Sequence, residues 1–240
     1  MIEKTRGIVV NTIKYSESSL VVKVYTEAFG MRSYLVRSVR KRNPKTPLNL
    51  FSPLSILDMV VYEKAQQGLQ NVKEIKPAYH FTSIPYEMAK ITIASFLNEL
   101  LFRVIKEEEV NIPLFDFLYK SIITLDTLTH DYQNFHIWFM LRLSSFLGFE
   151  PSDNYLPPQN IFDMQEGRYT ALNLPEALGI YPPLSGLFFQ LSQSSLFDEN
   201  WEIDRSQRQE LLDKLLQYYE FHLPGFGEMK SLNILREVLS

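Results

Sequence analysis

The sequence predicts an α+β multidomain chain: a small N-terminal β-barrel followed by an α-helical domain with a small hairpin insertion. Three observations predict it. The first 79 residues read as successive strands rich in β-branched side chains. After Pro77 the apolar period changes to that of a helix. The charge divides at the same place. Residues 1–80 hold 13 Lys and Arg against 6 Asp and Glu, a net +7, and the rest hold 11 against 22, a net −11. The expected domains are therefore a basic barrel over 1–79 and an acidic helical domain over 80–240, each with its own partners.

TRGIVVNTIKY and SSLVVKVYTE, parted by Ser16, Glu17 and Ser18, are the first two strands. Phe29 and Gly30 turn the chain, because glycine accepts the positive φ that tight connections need. MRSYLVRSV, SPLSILDMVVYE and GLQNVKEIKPA follow as strands three to five. Five strands in about 75 residues, with no helical pattern, suit a small closed barrel such as an OB-fold. Periodicity alone does not separate that from an SH3-like barrel.

In the second part, Met88, Ile91, Leu97, Leu101, Val104 and Ile105 recur at helical spacing. Pro113 opens a second helix that buries Leu114, Phe117, Leu118, Ile122 and Leu125. Asp131 is expected to cap a third, FHIWFMLRLSSFLG, which Gly148 stops. The loop PSDNYLPPQN leads to a short hairpin, IFDMQEGRYTAL, turning near Glu166 and Gly167. Pro182 and Pro183 precede another helix, Asp204 caps RSQRQELLDKLLQYYEFHL, and a last helix starts near Lys230.

The composition, 45% hydrophobic and 22% charged, is that of an ordinary soluble globular protein. No apolar run approaches the roughly 20 residues that span a bilayer. MIEKTRGIVV does not read as a signal peptide, so a cytoplasmic protein is expected. The absence of cysteine excludes disulfides, thiolate zinc sites, Fe–S clusters and cysteine nucleophiles. His80, His130, His136 and His222 form no HExxH and no pair at metal spacing, so structural or surface roles are expected of them. No GxSxG elbow and no GxGxxG after a strand are present. Lys230 and Ser231 resemble the end of a phosphate loop but lack its preceding glycine and strand. Glu107, Glu108 and Glu109 read as a solvated helix end. No nucleophile, base and oxyanion donor assemble, and the expectation is a non-enzyme without a cofactor or metal.

One segment stands against the overall charge of −4. VRSVRKRNPKTPLN, residues 36–49, holds Arg37, Arg40, Lys41, Arg42 and Lys45 and no acid; the nearest carboxylates are Glu27 and Asp58. Pro44 and Pro47 keep it out of regular ladder bonding. A basic domain of this kind suits a polyanion.

The order of segments resembles the RecO family of bacterial recombination mediators. The resemblance rests on Gly7 in the first strand, Glu17, Ser18 and Ser19 before the second, Tyr25, Thr26 and Glu27 with Phe29 and Gly30, and the basic segment. It continues with Asn98, Glu99, Leu100 and Leu101 followed by Arg103 and Val104, and with Leu141, Arg142 and Leu143 followed by Leu147, Gly148 and Phe149. Gly225 with Lys230 and Ser231 completes it, covering nearly the whole chain. The resemblance implies an OB-fold joined to a helical domain. It implies binding to single- and double-stranded DNA, strand annealing, work with RecR, and help in loading RecA onto strands covered by single-strand-binding protein. Many family members carry a four-cysteine zinc module over about residues 150–178. This chain has no cysteine there, so the hairpin is expected to be held without metal by Phe162, Tyr169 and Leu172.

An OB-fold tracks a nucleic-acid backbone with a positive groove and offers aromatics to the bases. Arg37, Arg40, Lys41, Arg42 and Lys45 are the expected phosphate contacts, with Lys14, Arg32 and Lys73 widening the track. Tyr34 shares a strand face with Arg32 and reads as a stacking platform or, preferably, as barrel core. The bland reading of the basic segment is a solvated loop. Arg103 and Arg142, cations within apolar helices, are expected either to receive the acidic tail of single-strand-binding protein or to pair with local carboxylates such as Glu99. Two rival classes remain: an adaptor whose basic segment meets an acidic protein, and a nucleic-acid enzyme, against which the barrel's scattered acids argue.

Overall fold

The computed structural model describes residues 1–37, 39, 46–63, 68–106, 109–156, 160–194, 197 and 201–239. All five expected strands form: β1 (Ile2–Lys14), β2 (Leu20–Thr26), β3 (Gly30–Val36), β4 (Ile56–Tyr62) and β5 (Leu69–Pro77). They close in the order β1-β2-β3-β5-β4, antiparallel except for the β3–β5 pair. That order, sealed by one parallel pair, is the OB-fold and decides between the two barrels left open by periodicity. Val9, Leu20, Val22, Val24, Tyr34, Val36, Leu57, Met59 and Val61 fill the interior. Gly7 lies where walls meet: a Cβ there would stand 2.4 Å from Val24 Cγ1 and 3.2 Å from Met59 Sδ.

A strand with one solvated face would expose alternate residues. β1 does not, since Ile8 and Val10 are as buried as Val9 between them. Helix α1 (Met88–Val104) explains part of this, because the Asn98 amide donates to the Val10 carbonyl at 2.8 Å and its oxygen accepts from Leu54 N–H at 3.3 Å. On helix α2 (Ile112–Thr127), Phe115 and Tyr119 lie under the Arg6 guanidinium, 5.5 and 4.7 Å from the ring centroids. Arg6 in turn makes a two-pronged pair with Glu27, at 2.9 and 2.7 Å. Barrel, α1 and α2 therefore form one compact unit, Met1–Thr127, and the rest forms a second, Leu128–Ser240.

The connection from β5 to α1 is governed by one buried side chain. Asp126, near the end of α2 and 2% exposed, accepts from the backbone N–H groups of Thr82, Ser83 and Ile84 at 2.8, 2.9 and 2.8 Å. The Thr82 hydroxyl at 2.9 Å and the Tyr79 hydroxyl at 3.1 Å donate to it as well. Lys90, fully buried on α1, donates to Ser83 Oγ at 2.6 Å and to the Asp126 carbonyl at 3.3 Å.

In the second unit, α3 (Phe135–Phe146) ends at Leu147 with Gly148 at φ 85°, as expected. Asp131 is not its cap. A 3-10 turn, Tyr132–Asn134, intervenes, and Asp131 itself adopts φ 58° with its carboxylate 2.6 Å from His130 Nδ1. The hairpin forms as β6 (Ile161–Asp163) and β7 (Arg168–Thr170), and β6 also pairs with a short β8 (Gly179–Ile180) that the sequence did not disclose. Phe162 and Tyr169 sit within an aromatic cluster with Tyr155, Phe188, Phe189 and Tyr218. Leu172 is 71% exposed and does not contribute, because it lies past the end of β7. Helices α4 (Leu184–Gln193), α5 (Arg205–His222) and α6 (Leu232–Val238) complete the unit, α5 with a capping box between Asp204 and Gln207. Among the described residues, no helix is long and apolar enough to cross a membrane.

Burial pushes the Asp126 carboxyl up, but the Ile84, Thr82 and Ser83 N–H groups and the Thr82 hydroxyl outweigh it and hold the pKa down to about 2. A depressed carboxyl contributes stability above its unfolded value, near 4, and loses it as pH falls through its folded value. Urea unfolding should therefore show a loss on the order of 2 kcal/mol between pH 4 and pH 2. Asp126→Ala should cost about 3–5 kcal/mol at pH 7, since it orphans three N–H groups, and should flatten that acid limb. A variant with the wild-type acid limb would remove Asp126 as its source.

Candidate nucleic-acid interface

The strand register determines which cations share a place. Lys14 pairs with Leu20, and Leu20 pairs with Val36, so Arg37 follows directly on that rung. β5 runs parallel to β3 with Asn71 beside Leu35, so Lys73 and Arg37 leave the pair toward the same end. Lys14, Arg37 and Lys73 are exposed, and among the described residues none of them enters an ion pair. At the same end, Val39 N–H donates to the Ser18 carbonyl at 3.0 Å, tying the exit of β3 to the β1–β2 turn. Arg40, Lys41, Arg42 and Lys45 lie outside the described residues.

The chain returns at Pro47 through a 3-10 turn, Leu48–Phe51. Thr12, Lys14 and Leu20 on one side and Leu48, Asn49, Phe51 and Ser52 on the other line an open groove of about 580 Å³. Phe51 and Leu20 are buried, whereas Leu48 is 48% exposed and nearby Tyr15 is 62% exposed. Sequence reasoning passed over this groove. Its one legible signal was the apolar run Leu48, Leu50 and Phe51 directly after a basic, proline-broken segment.

Arg32 behaves differently. It shares the inward face of β3 with Tyr34, and its Nε donates to Glu63 Oε1 at 3.1 Å. The two side chains are only 23% and 13% exposed. Tyr34 is fully buried core and no stacking platform. Burial first, then the Glu63 carboxylate, keeps its hydroxyl protonated far above the usual tyrosine value. Arg103, in the first unit, donates to Glu99 at 2.8 Å one helical turn away, and Arg142, in the second, lies 3.6 Å from Glu150. Among the described residues, no three His, Asp or Glu side chains converge to hold a metal ion.

The barrel order and the helices that follow make this chain an OB-fold protein of the α+β class, with a cationic barrel end. The family model described as Recombination protein O N terminal matches residues 1–81, and that described as Recombination protein O C terminal matches residues 85–155. Proteins called DNA repair protein RecO are similar along their full length. That of Bacteroides fragilis is 36% identical over 241 residues, covering 99% of both chains. That of Phocaeicola vulgatus is 34% identical over 250 residues, covering 100% of both. That of Flavobacterium johnsoniae is 38% identical over 242 residues, again covering 99% of both. The chain belongs to the RecO family of DNA repair proteins.

The cations thus separate by what holds them. Arg32→Ala should cost about 1–3 kcal/mol in thermal or urea unfolding, because it leaves the Glu63 carboxylate without its donor in a partly buried site. Lys14→Ala, Arg37→Ala and Lys73→Ala should each stay within about 0.5 kcal/mol of wild type. Equal effects across the four would abolish the distinction.

Proposed function

We propose that the chain binds single- and double-stranded DNA through its barrel and anneals complementary strands, working with RecR to help load RecA in the cytoplasm at the nucleoid. The observation that carries the reading is the cationic barrel end, where Lys14, Arg37 and Lys73 are exposed beside the chain's exit into a segment with four further cations. Annealing needs no covalent step and no cofactor. Cations neutralise phosphates, two strands meet with less repulsion, and base pairing supplies the driving force. The protein need only raise the local strand concentration and leave the base edges free.

Filter binding to single-stranded DNA across salt, with a hydrolysis control, tests this. Retained, uncut strands support a mediator, cleavage supports an enzyme, and no retention leaves the adaptor reading. Each phosphate contact on a single strand contributes a log–log salt slope of about −0.7, so the five cations from Arg37 to Lys45 give up to roughly −3.5. Replacing Arg40, Lys41 and Arg42 together by alanine should weaken binding to all sequences and flatten the slope by roughly two units. A folded triple variant with the wild-type slope would assign the segment to solvent or a protein partner.

The acidic tail of single-strand-binding protein is the proposed ligand of Arg103 in the first unit and, as a separate candidate, of Arg142 in the second. Each arginine already has a carboxylate partner, Glu99 or Glu150, so a tail carboxylate would act by exchange and not by filling an empty site. A fluorescent tail peptide should lose only about two- to fivefold in affinity for Arg103→Ala or Arg142→Ala, less than the roughly 1.5–3 kcal/mol of a new charge-assisted hydrogen bond, because each arginine gives up its own carboxylate to take the tail. Unchanged affinity in both variants would return the two arginines to intrahelical and local pairing.

A further inference from the structure

The groove at the cationic barrel end has a composition that phosphate binding alone does not require. Phosphates need cations, whereas Leu20, Leu48 and Phe51 give this groove an apolar floor and rim. Lys14 stands in its wall, with Thr12, Asn49 and Ser52 as polar groups around it. Its volume of about 580 Å³ falls within the roughly 300–1,000 Å³ of small-ligand sites. The returning flank of the basic segment lines it, Leu48 directly following Pro47, and the departing flank packs Val39 into the same core cluster as Leu20 and Phe51.

We propose that this groove receives one unstacked base of a single strand, with the adjoining phosphate on Lys14, and thereby sets a preference for single-stranded over duplex DNA. The inference rests on the reading that the barrel binds DNA. Charge complementarity selects the occupant, because an apolar slot walled by Lys14, next to exposed Arg37, suits a ligand that is flat and apolar at one end and anionic at the other. A nucleotide has that form. In a duplex the base faces are stacked on their neighbours, and extruding one costs a few kcal/mol. In a flexible single strand the base is already available, and contact with an apolar or aromatic surface is tolerant of sequence. Leu48 and Asn49 are therefore assigned to the base, and Lys14 to the backbone.

Fluorescence anisotropy with a single-stranded oligonucleotide and the matching duplex, at one salt concentration, tests the assignment. Leu48→Ala should weaken single-strand binding about three- to tenfold and leave duplex binding unchanged, lowering the preference by that factor. Lys14→Ala should weaken both forms. Leu48 is half exposed, and Asn49→Ala is a second exposed-site variant expected to move the ratio in the same direction. A 2-aminopurine placed in the strand should change its emission on binding wild type and less so with Leu48→Ala. If wild type binds DNA but neither variant alters the ratio, the groove holds no base, and this inference falls while the proposed function stands. If wild type binds neither form, the proposed function falls and takes the inference with it.

Discussion

The hydrogen-bonded carboxylate of Asp126 is the constraint on which the first unit depends. The chain must leave β5 and start α1, and residues 79–84 between them carry polar backbone groups that need partners. Asp126 supplies acceptors to three of those N–H groups and so fixes the direction in which α1 begins. Lys90 reinforces the same point through Ser83. Once α1 is aimed, Asn98 reaches Val10 and Leu54, and Ile8 and Val10 are buried on the barrel side that would otherwise face water. A carboxylate 2% exposed is tolerable only with such a set of donors, because desolvation of an unpartnered charge would cost several kcal/mol. The node is therefore satisfied as a whole or it fails as a whole.

Strand existence was legible because alternation and β-branched runs are local. Strand order was not, because the parallel β3–β5 pair joins residues more than thirty positions apart, as Ser33 with Leu69, and no local pattern encodes that. The grouping of α1 and α2 with the barrel was equally hidden, since it rests on Asn98, Arg6 and Asp126 meeting distant backbone and rings. Local misreadings have local causes. Asp131 has the side chain of a cap, but an intervening 3-10 turn places Asn134 at the start of α3. The N-terminus of α2 is served by Asn111, whose side chain accepts from Leu114 N–H at 3.0 Å, two residues before the proline that drew attention. The two-residue β8 is too short to carry any period.

In the candidate site, charge was legible and direction was not. Lys14, Arg37 and Lys73 were singled out for type, and the register brings them toward one end of the barrel. Arg32 was grouped with them, yet the sequence held the means to separate it. Side chains two apart on a strand share a face, so the preference for Tyr34 as core already implied an inward Arg32. Glu63, directly after β4, is the carboxylate that such an inward guanidinium requires.

The barrel's cations therefore divide into two kinds by the physical work each does. Arg6 is engaged by Glu27 and two aromatic rings, Lys23 by the Phe102 ring, and Arg32 by Glu63. A cation so held loses a partner when it gains a phosphate, and the exchange yields little net attraction. Exposed Lys14, Arg37 and Lys73 have no ion pair among the described residues to give up, so a phosphate there displaces only water and counterions. The +7 of residues 1–80 is thus a poor measure of binding capacity on its own. What matters is how many charges the fold leaves uncommitted, and where the strand register gathers them.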